Sequence, residues 1–294
     1  MSQMIIDGKK IAADLEQEIK EALMKSKKIR IPKLAMVVVG ENPASISYVA
    51  SKAQACKRVG IEALDLSLSE TITQEDLLDH IKKLNLDPTV DGILVQVPLP
   101  SHINEGVIDE AISPKKDVDG FHPINMGKLL LGFETGFTPC TPLGTKILLE
   151  RSGIEVAGKH VVIIGRSHIV GKPLATLLMQ KKEGANATVT VVHSQTQDLP
   201  KITQQADILI AAMGVPHFVT ANMVKEGAYV IDIGNNRIPD ARKKSGYRIV
   251  GDVDFDSVKQ KCRGITPVPG GVGPMTVVCL LKNTFNSYMQ TIIK

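Results

Sequence analysis

The sequence has few of the features that mark secreted, membrane or zinc-binding proteins. Its 294 residues include only four cysteines, and no two of them form a C-x-x-C pair. This scatter argues against a zinc site and against a disulfide framework. No apolar run reaches membrane-spanning length, and the first residues lack the hydrophobic region of a signal peptide. We therefore expect a protein of the reducing cytoplasm.

The sequence also lacks a marked excess of either charge. Its 35 lysines and arginines are offset by 31 aspartates and glutamates in mixed order, which leaves a net charge of +4. That balance is not the signature of a nucleic-acid-binding surface. A small positive excess could still help to attract an anionic small ligand. We expect a small-molecule partner, and neither nucleic acid nor a membrane.

What the chain does have is a repeated alternation of apolar runs and amphipathic segments. In the first half, strands are predicted at 34–39, 61–68 and 92–96, and helices at 11–25, 43–59, 73–84 and 104–112. In the second half, strands are predicted at 161–164, 187–192, 207–213 and 228–233, and helices near 169–182 and 198–206. This alternation predicts an α/β fold with parallel sheets covered by helices.

The two series of strands and helices predict two domains. A chain of this length can form two domains of ordinary size, each with its own core. We place the first domain at 1–139 and the second, Rossmann-like domain at 140–274. A last helix, 275–294, remains after the second series, and we expect it to pack back on the first domain. The passage 117–139 is rich in glycine and proline and shows little periodicity.

The segment 42–60 contains the most informative helix of the sequence. Asn42 is suited to cap its start and Pro43 to occupy its first turn, while Gly60 is a plausible end. Apolar residues form a stripe at spacings of three, four and three, which we expect to be buried. These residues are Ile46, Val49, Ala53 and Cys56.

Three polar residues follow the same helical spacing on an adjoining face. Ser45, Tyr48 and Lys52 can therefore direct their polar ends to one cleft. The simpler alternative is a surface tyrosine beside a lysine whose stem covers apolar surface. In water a lysine has a pKa of about 10.4, but burial penalises the ammonium form and lowers that value. A buried Lys52 could then transfer protons near neutral pH.

Three further polar residues of the first half could serve such a site. Gln96 follows the predicted strand 92–96, where it could accept a hydrogen bond from Lys52, position a water or simply bond to neighbouring backbone. Asp117 and Asp119 lie in the irregular stretch, and one carboxylate could accept paired N–H bonds from an amino-substituted heterocycle. A solvated turn is the commoner reading of Asp-x-Asp. Metal is the weaker choice, because no companion cluster of ligands accompanies the pair, and no metal site is predicted.

The second half contains a candidate phosphate-binding loop. The segment GRSHIVGKP, at 165–173, directly follows an apolar strand and opens a helix. A helix N-terminus offers unpaired N–H groups, and small residues let a pyrophosphate approach the backbone. The spacing from Gly165 through Ser167 to Gly171 departs from G-x-G-x-x-G, so an ordinary turn between strand and helix stays an alternative.

The end of the next strand favours NADP over NAD. An NAD site usually places an acidic residue there to bind the ribose hydroxyls, whereas this chain has His193-Ser194-Gln195-Thr196. Without a carboxylate to repel a 2′-phosphate, Arg166 and Ser194 could bind one. His193 is either a polar strand end or a direct contact. Ile233 and the glycine after it lie at a later strand end, where parallel sheets bind ligands.

Taken together, these segments closely resemble the bifunctional methylenetetrahydrofolate dehydrogenase/cyclohydrolase family. The matching segments extend over nearly the whole chain, and several are long and unusual. They are IIDGK at 5–9, the helix start at 42–52, DGILVQVPLP at 91–100, KDVDGF at 116–121, PCTP at 139–142, the loop at 165–173, and TPVPGGVGPMT at 266–276.

The resemblance implies two consecutive reactions. The first moves a hydride from 5,10-methylenetetrahydrofolate to NADP+, and the second hydrolyses the resulting 5,10-methenyl cation to 10-formyltetrahydrofolate. It implies that the first domain binds tetrahydrofolate derivatives, that the second binds NADP, and that both reactions use one folate cleft between the domains. Members of the family are typically homodimers.

The resemblance also implies roles for individual residues. Lys52 would be the principal catalytic residue of the hydrolysis, Gln96 would tune it, and Tyr48 would pack along the pterin. The expected substrate-binding residues are Asp119, at the pterin amino edge, Ser45, Pro267 and Gly271, the last allowing close backbone approach. The expected cofactor-binding residues are Gly165, Arg166, Ser167, Gly171, His193, Ser194, Thr196 and Ile233.

One departure from the family and three alternative functions are weighed against this interpretation. Many relatives have a second lysine where this chain has Gln54, which puts in doubt a charge contact there. A short-chain dehydrogenase also uses Tyr-x-x-x-Lys, but its glycine motif comes first, whereas Tyr48 here precedes Gly165. A dehydrogenase without cyclohydrolase activity, or a non-catalytic NADP- or folate-binding regulatory protein, is opposed by the presence of both Lys52 and Gln96.

Overall fold

The structure is a computed structural model that describes residues 4–26, 30–243 and 246–292. Within these ranges the chain forms two compact units. The three-strand unit contains the described residues of 13–140 and 277–292, and the six-strand unit contains those of 4–12 and 141–276. Each is named after its main sheet. None of the helices in the described ranges has the length and apolar character needed to cross a membrane.

Strands and helices alternate along most of the chain. In chain order they are β1 (Met4–Ile5), α1 (Gly8–Lys25), β2 (Lys33–Val39), α2 (Pro43–Val59), β3 (Glu62–Leu68), α3 (Gln74–Leu86), β4 (Gly92–Val95), α4 (Glu105–Ala111), α5 (Pro123–Leu131), α6 (Cys140–Arg151), β5 (His160–Ile164), α7 (Gly171–Met179), β6 (Thr188–Val192), α8 (Leu199–Thr203), β7 (Ile208–Ala211), β8 (Tyr229–Asp232), β9 (Asn236–Pro239), β10 (Tyr247–Val250), α9 (Phe255–Val258), β11 (Gly264–Ile265) and α10 (Val272–Ile292). The strands and helices expected from the sequence all have counterparts, which confirms the predicted α/β class.

The three-strand unit is built on a parallel sheet in the order β3-β2-β4. Strand β2 lies in the middle, and its continuous apolar run is typical of a strand covered on both faces. Helices α3 and α4 pack their apolar residues onto this sheet, so that Leu77, Ile81 and Ile108 join Val37 and Ile93 in one core. The carboxyl ends of β2 and β4 are therefore held by strands that pack into this core.

Helix α10 belongs to this unit from residue 277 onward. The Ser287 hydroxyl donates to the carbonyls of Asp91 (2.6 Å) and Lys115 (2.9 Å), and the Tyr288 hydroxyl donates to that of Arg30 (2.8 Å). The helix begins at Val272, earlier than expected, so its first turn belongs to the six-strand unit. The last two residues of the helix expected at 275–294 lie outside the described ranges.

The six-strand unit has a parallel sheet in the order β1-β11-β8-β7-β5-β6. Its innermost strands are apolar and fully buried, as in Val161 to Ile164 and Ile208 to Ala211. Residues 4–12, which the sequence analysis places in the first domain, lie in the six-strand unit. Strand β1 pairs with β11, with Ile5 opposite Ile265, and this long-range pairing attaches the start of the chain to the second sheet.

Several short elements were not predicted. Strands β9 and β10 form an antiparallel hairpin, and helix α5 lies within the stretch that was expected to be irregular. The ring of His122 accepts the N–H of Ile124 at 3.0 Å to cap α5, and Gly132 ends this helix with a φ of +75°. Because α5 has only nine residues, its apolar period is too short to stand out.

Candidate active site

The start of α2 has the predicted cap. The Asn42 side chain accepts the N–H groups of Ala44 (2.9 Å) and Ser45 (3.3 Å), and Pro43 opens the helix. The helix ends at Gly60, which has a φ of +89°. A left-handed residue at a helix end is favourable for glycine because it has no Cβ. Both ends read from the sequence are confirmed.

The predicted buried stripe of α2 is partly wrong. Ile46 is 48% exposed, while the polar residues Ser45 and Lys52 are both 4% exposed. The buried face runs through Ser45, Val49, Lys52 and Cys56, at spacings of four, three and four. Hydropathy selected the neighbouring row because it scores serine and lysine as surface residues. A lysine on the buried face is costly unless its amine is partnered, which marks this face as the site.

Lys52 meets Gln96 and Tyr48. Its Nζ donates to Oε1 of Gln96 at 3.0 Å and lies 4.6 Å from the centroid of the Tyr48 ring. Gln96 follows β4, its backbone N–H donates to the carbonyl of Val37 at 2.8 Å, and its Nε2 donates to the carbonyl of Val97 at 2.7 Å. The amide is thereby oriented with its oxygen toward the amine. The expected hydrogen bond between Lys52 and Gln96 is present.

Burial brings the pKa values of Lys52 and Asp119 closer together and moves that of Tyr48 away from Lys52. Burial lowers the pKa of Lys52, and Asp119, Cys140 and Cys56 oppose that shift. Burial raises the pKa of Asp119, opposed by Lys52 and by a hydrogen bond with the Cys140 thiol. Burial, and then Asp119, raises the pKa of Tyr48 to about 12. The phenol therefore keeps its proton, whereas Lys52 is shifted toward the neutral amine that can accept one.

The two aspartates of the Asp-x-Asp segment have different environments. The carboxylate of Asp117 accepts the N–H groups of Gly120 (3.0 Å), Phe121 (3.2 Å) and His122 (2.9 Å) and the amide of Asn125 (2.8 Å). Asp117 therefore organises the loop. Asp119, two residues further along the chain, interacts electrostatically with Lys52. The structure thus brings Asp119, rather than Asp117, to the lysine site.

The glycines of the loop at 165–173 are required by close backbone packing. Gly165 has a φ of +129°, and a Cβ there would lie 2.2 Å from the carbonyl oxygen of Ala212. A Cβ at Gly171 would lie 2.2 Å from the carbonyl oxygen of Gly165. The Ser167 hydroxyl accepts the N–H groups of Val170 (3.2 Å) and Gly171 (3.4 Å). This compact turn brings the end of β5 to the start of α7, and it uses the first N–H groups of that helix, because Gly171 donates to the Ser167 hydroxyl and Lys172 donates to the Ser167 carbonyl at 3.0 Å.

The turn after β6 is stabilised by hydrogen bonds between its own side chains and its backbone N–H groups. Nδ1 of His193 accepts the N–H of Gln195 at 3.3 Å, and Oγ1 of Thr196 accepts the N–H of His193 at 2.9 Å. The side chains of Ser194 and Arg166 are exposed. Both loops follow neighbouring parallel strands, because β5 pairs with β6, so their side chains lie at the same sheet edge. Ile233, at the end of β8, follows another strand of that edge.

The loop from Pro267 to α10 packs against the start of the chain. A Cβ at Gly8 would lie 1.9 Å from the carbonyl oxygen of Gly271, and one at Gly271 would lie 2.7 Å from Cβ of Thr266 and 2.8 Å from the carbonyl oxygen of Pro267. The close approach at Gly271 is thus made by the protein's own atoms. The role of Pro267 and Gly271 toward a substrate stays a prediction. No group of three or more histidines, cysteines or acids within the described ranges could hold a metal.

Models of a single enzyme family match both halves of the chain. The model described as the tetrahydrofolate dehydrogenase/cyclohydrolase catalytic domain matches residues 6–119, and that of the corresponding NAD(P)-binding domain matches residues 139–292. The chain belongs to the tetrahydrofolate dehydrogenase/cyclohydrolase family. The resemblance drawn from the motifs is confirmed.

Similar proteins from this family cover almost the whole chain. The bifunctional protein FolD of Protochlamydia amoebophila is 57% identical over 288 residues, which are 98% of each chain. The structure of the bifunctional FolD enzyme of Campylobacter jejuni is 51% identical, with a TM-score of 0.92 over 98% of this chain and 99% of that one. The Trypanosoma brucei enzyme, solved with NADP cofactor and an inhibitor, is 38% identical, with a TM-score of 0.94 over all of both chains.

The bounds of the family models differ from those of the compact units at both ends. The catalytic-domain model begins at residue 6, although 4–12 lie in the six-strand unit, and the NAD(P)-binding model extends to 292, although the chain from 277 lies in the three-strand unit. Family models follow continuous sequence, whereas β1 and α10 are attached by long-range contacts. The six-strand unit therefore includes residues 4–12 from the start of the chain, and the three-strand unit includes residues 277–292 from its end.

The sequence departure at Gln54 does not reach the lysine site. Gln54 is exposed, whereas Lys52 is buried. Two helical positions differ by about 200° around the axis, so these side chains point to nearly opposite sides. A lysine at 54 would face away from Gln96, and its absence leaves the contacts of Lys52 unchanged.

Sequence reasoning missed two buried carboxylates beside the strand ends of the six-strand unit. Asp252 accepts the N–H groups of Met213 (2.8 Å) and Gly214 (2.9 Å), and Asp232 accepts those of Gly234, Asp252 and Val253, each at 2.9 Å. They hold the loops after β7 and β8 in place. Asp232 ends β8 in an apolar run, which was the available signal, whereas Asp252 follows β10 by two residues in a segment with no such signal.

Proposed function

We propose that this chain oxidises 5,10-methylenetetrahydrofolate with NADP+ and hydrolyses the methenyl product to 10-formyltetrahydrofolate. The observation that carries the proposal is the buried amine of Lys52, 3.0 Å from Gln96 and beside Tyr48. A dehydrogenase alone has no evident need for an amine with a lowered pKa. Hydrolysis of a cation by water does need a group that takes and returns a proton.

Lys52 acts as the proton carrier of the hydrolysis. Water attacks the methenyl carbon, a C–O bond forms, and the water's proton passes to the neutral amine of Lys52. The ammonium then returns the proton to N5 as the bond between this carbon and N5 breaks. The remaining hydroxyl proton goes to solvent, and the formyl group stays on N10. Positioned acid–base groups of this kind accelerate reactions by about 10² to 10⁴.

Gln96 orients the amine of Lys52, and Tyr48 lies beside this amine without a charge. The Gln96 oxygen accepts one N–H of Lys52, which leaves the rest of the amine for water and substrate. The Tyr48 ring lies 4.6 Å from the amine and presents a flat surface that suits a pterin. Because the pKa of Tyr48 is raised to about 12, its phenol stays neutral and does not trap the ammonium form as an ion pair.

Asp119 binds the amino edge of the pterin. Its carboxylate lies in the same electrostatic environment as Lys52, and the neighbouring Asp117 is fully used by the loop. A carboxylate matches the paired N–H groups of an amino-substituted heterocycle. Ser45, buried one turn before Val49, and the loop from Pro267 to Gly271 complete the proposed substrate-binding set.

The residues of the six-strand unit fit a phosphate-bearing dinucleotide. Gly165 and Gly171 allow the close backbone packing of the loop, and Ser167 fixes the turn through the N–H groups of Val170 and Gly171. When bound, NADP+ supplies the acceptor of the hydride. Arg166 and Ser194 are exposed and provide a positive charge and a hydroxyl for a 2′-phosphate. His193, Thr196 and Ile233 shape the same sheet edge.

One absorbance time course tests the function. Purified protein is mixed with methylenetetrahydrofolate and NADP+, and NADPH and the methenyl product are followed together, with an enzyme-free reaction to correct for spontaneous hydrolysis. We expect NADPH to form and methenyl to be removed faster than in the control. Lasting accumulation of methenyl would leave a dehydrogenase alone, and neither signal from folded protein would overturn the proposal. Replacing NADP+ by NAD+ should lower kcat/KM.

We also propose that the protein is a homodimer working in the cytoplasm. The support is its similarity to the family and the scattered cysteines, all four of which are buried thiols. Light scattering coupled to size exclusion should give twice the chain mass of 31.8 kDa. A monomer at assay concentration would contradict the dimer.

A further inference from the structure

Asn283 lies in the second half of α10, far from Asp119 in sequence, yet its side chain contacts the backbone beside it. Asn283 is 3% exposed. Its Nδ2 donates to the carbonyl of Val118 at 2.8 Å and to that of Thr138 at 3.1 Å, and it lies 3.7 Å from the sulfur of Cys140. One amide nitrogen thus joins the residue before Asp119 to the segment that leads into α6.

The peptide groups around Asp119 are fixed on both sides. The carbonyl of Val118 also accepts the thiol of Cys140 at 3.3 Å, and the carbonyl of Asp119 accepts the N–H of Cys140 at 3.3 Å. On the far side, a Cβ at Gly120 would lie 2.6 Å from the nitrogen of Pro139. The segments on either side of Asp119 and Cys140 are therefore joined through the backbone and the Cys140 thiol, and Asn283 is a further side chain that links them.

We infer that Asn283 is a positioning residue for substrate, acting through Asp119 by holding the carbonyls of Val118 and Thr138. The inference rests on the proposed function, in which Asp119 binds the pterin. Without the amide, the carbonyl of Thr138 loses this donor and that of Val118 keeps the weaker donor of the Cys140 thiol. A buried carbonyl deprived of a donor seeks another partner, so removal of the amide shifts the loop and the direction of the Asp119 carboxyl. Lys52, held by Gln96 on α2 and β4, keeps its place.

The chain offers a matched control one turn further along α10. Ser287 is 4% exposed and shares its one hydroxyl hydrogen between two loop carbonyls, those of Asp91 and Lys115. Its removal also withdraws a buried donor from two carbonyls, but neither carbonyl adjoins Asp119. Ser287→Ala therefore reports what a loss of stability alone does to the kinetics.

The test measures kcat and KM for methylenetetrahydrofolate and for NADP+, with the melting temperature, in Asn283→Ala, Ser287→Ala, Asp119→Asn and the double variant of 119 and 283. We expect Asn283→Ala to raise the folate KM about tenfold, with kcat changed less than threefold and the KM for NADP+ unchanged. Ser287→Ala should lower the melting temperature similarly and leave the folate KM within twofold. In the Asp119→Asn background, Asn283→Ala should cost nothing further, because its effect passes through the lost carboxylate.

Equal folate KM values in Asn283→Ala and Ser287→Ala would overturn the inference, and so would additive effects of the 119 and 283 substitutions. A wild-type folate KM in Asp119→Asn would overturn it as well, since Asp119 would then bind no substrate. Activity of the unmodified protein reports on the proposed function separately. Should Asn283→Ala fail to fold, Asn283→Ser keeps a shorter donor and enters the same comparison.

Discussion

The two units present their chemistry in opposite ways. In the three-strand unit, the candidate site consists of side chains whose charge is made costly by burial: Lys52 on the covered face of α2 and the carboxyl of Asp119. In the six-strand unit, it consists mainly of a compact backbone turn that Gly165 and Gly171 make possible. The difference indicates that the first unit changes its ligand chemically, whereas the second holds one. The two sites should therefore fail in different ways when altered.

The largest effect should come from the lysine. Lys52→Met removes the proton carrier but keeps the length of the side chain, so methenyl hydrolysis should fall by about 10² to 10⁴, while binding of NADP+ is unchanged. Stopped-flow absorbance of added methenyltetrahydrofolate measures this step alone. Lys57→Met, on the exposed side of α2, is the control. Hydrolysis at the wild-type rate in Lys52→Met would remove this residue from its role.

The next effect should come from the backbone of the other site. Gly165→Ala introduces a Cβ 2.2 Å from a carbonyl oxygen at a φ of +129°, so the loop must shift. We expect kcat/KM for NADP+ to fall about 10²-fold, which corresponds to roughly 3 kcal/mol, with hydrolysis of added methenyltetrahydrofolate largely kept. Gly158→Ala, at a φ of +72° with open space around it in the described structure, controls for backbone strain. Equal losses in both variants would show that the close packing is irrelevant.

A smaller effect is expected from a change in the charge next to Lys52. Gln96→Glu keeps an oxygen acceptor for Lys52 but adds a negative charge, which favours the ammonium form and raises the pKa of the amine. If the neutral amine takes the proton, the acidic limb of the pH–rate profile for hydrolysis should move to higher pH by about one unit. The titratable groups that interact with Lys52 in the native protein are the carboxyl of Asp119 and the thiols of Cys140 and Cys56. A shift to lower pH would contradict this assignment of the neutral amine.

The smallest effect should come from a side chain that serves the backbone. Ser167→Ala removes the acceptor for the N–H groups of Val170 and Gly171, but water can replace it at this exposed position. The KM for NADP+ should rise only about threefold to tenfold, in line with one modest hydrogen bond. Ser257→Ala, whose hydroxyl bonds the carbonyl of Asp254 in the same unit, is the control. Loss of NADP+ binding in Ser167→Ala would mean that the hydroxyl contacts the cofactor directly.

The sequence predicted the ends of the helix that carries the lysine site better than it predicted which side chains of that helix are buried. Asn42, Pro43 and Gly60 act locally, so their roles in α2 could be read without the rest of the chain. The burial of Lys52 could not, because it depends on what packs over α2, and hydropathy places a lysine outside. The hydrogen bond between Lys52 and Gln96 was one of three alternatives for this amide, because a buried glutamine needs partners but its place in the sequence does not choose among them.

The periodicity of the sequence could not predict the contacts between distant parts of the chain. Strand β1 has two residues and is recognised only through its pairing with β11. The carbonyl partners of Asn283 and the N–H partners of Asp252 belong to loops, and no local pattern connects a side chain to a loop far away in sequence. These contacts position the site residues that the motifs identify.

The return of α10 to the three-strand unit has a consequence for synthesis. A growing chain exposes residues 13–140 to solvent first, yet Ser287, 196 positions after Asp91, supplies the donor for the carbonyl of that residue. The strands of the six-strand unit are all present once residue 265 has emerged. The half of the protein that the ribosome makes first is therefore the half that can be completed only after the last helix is released.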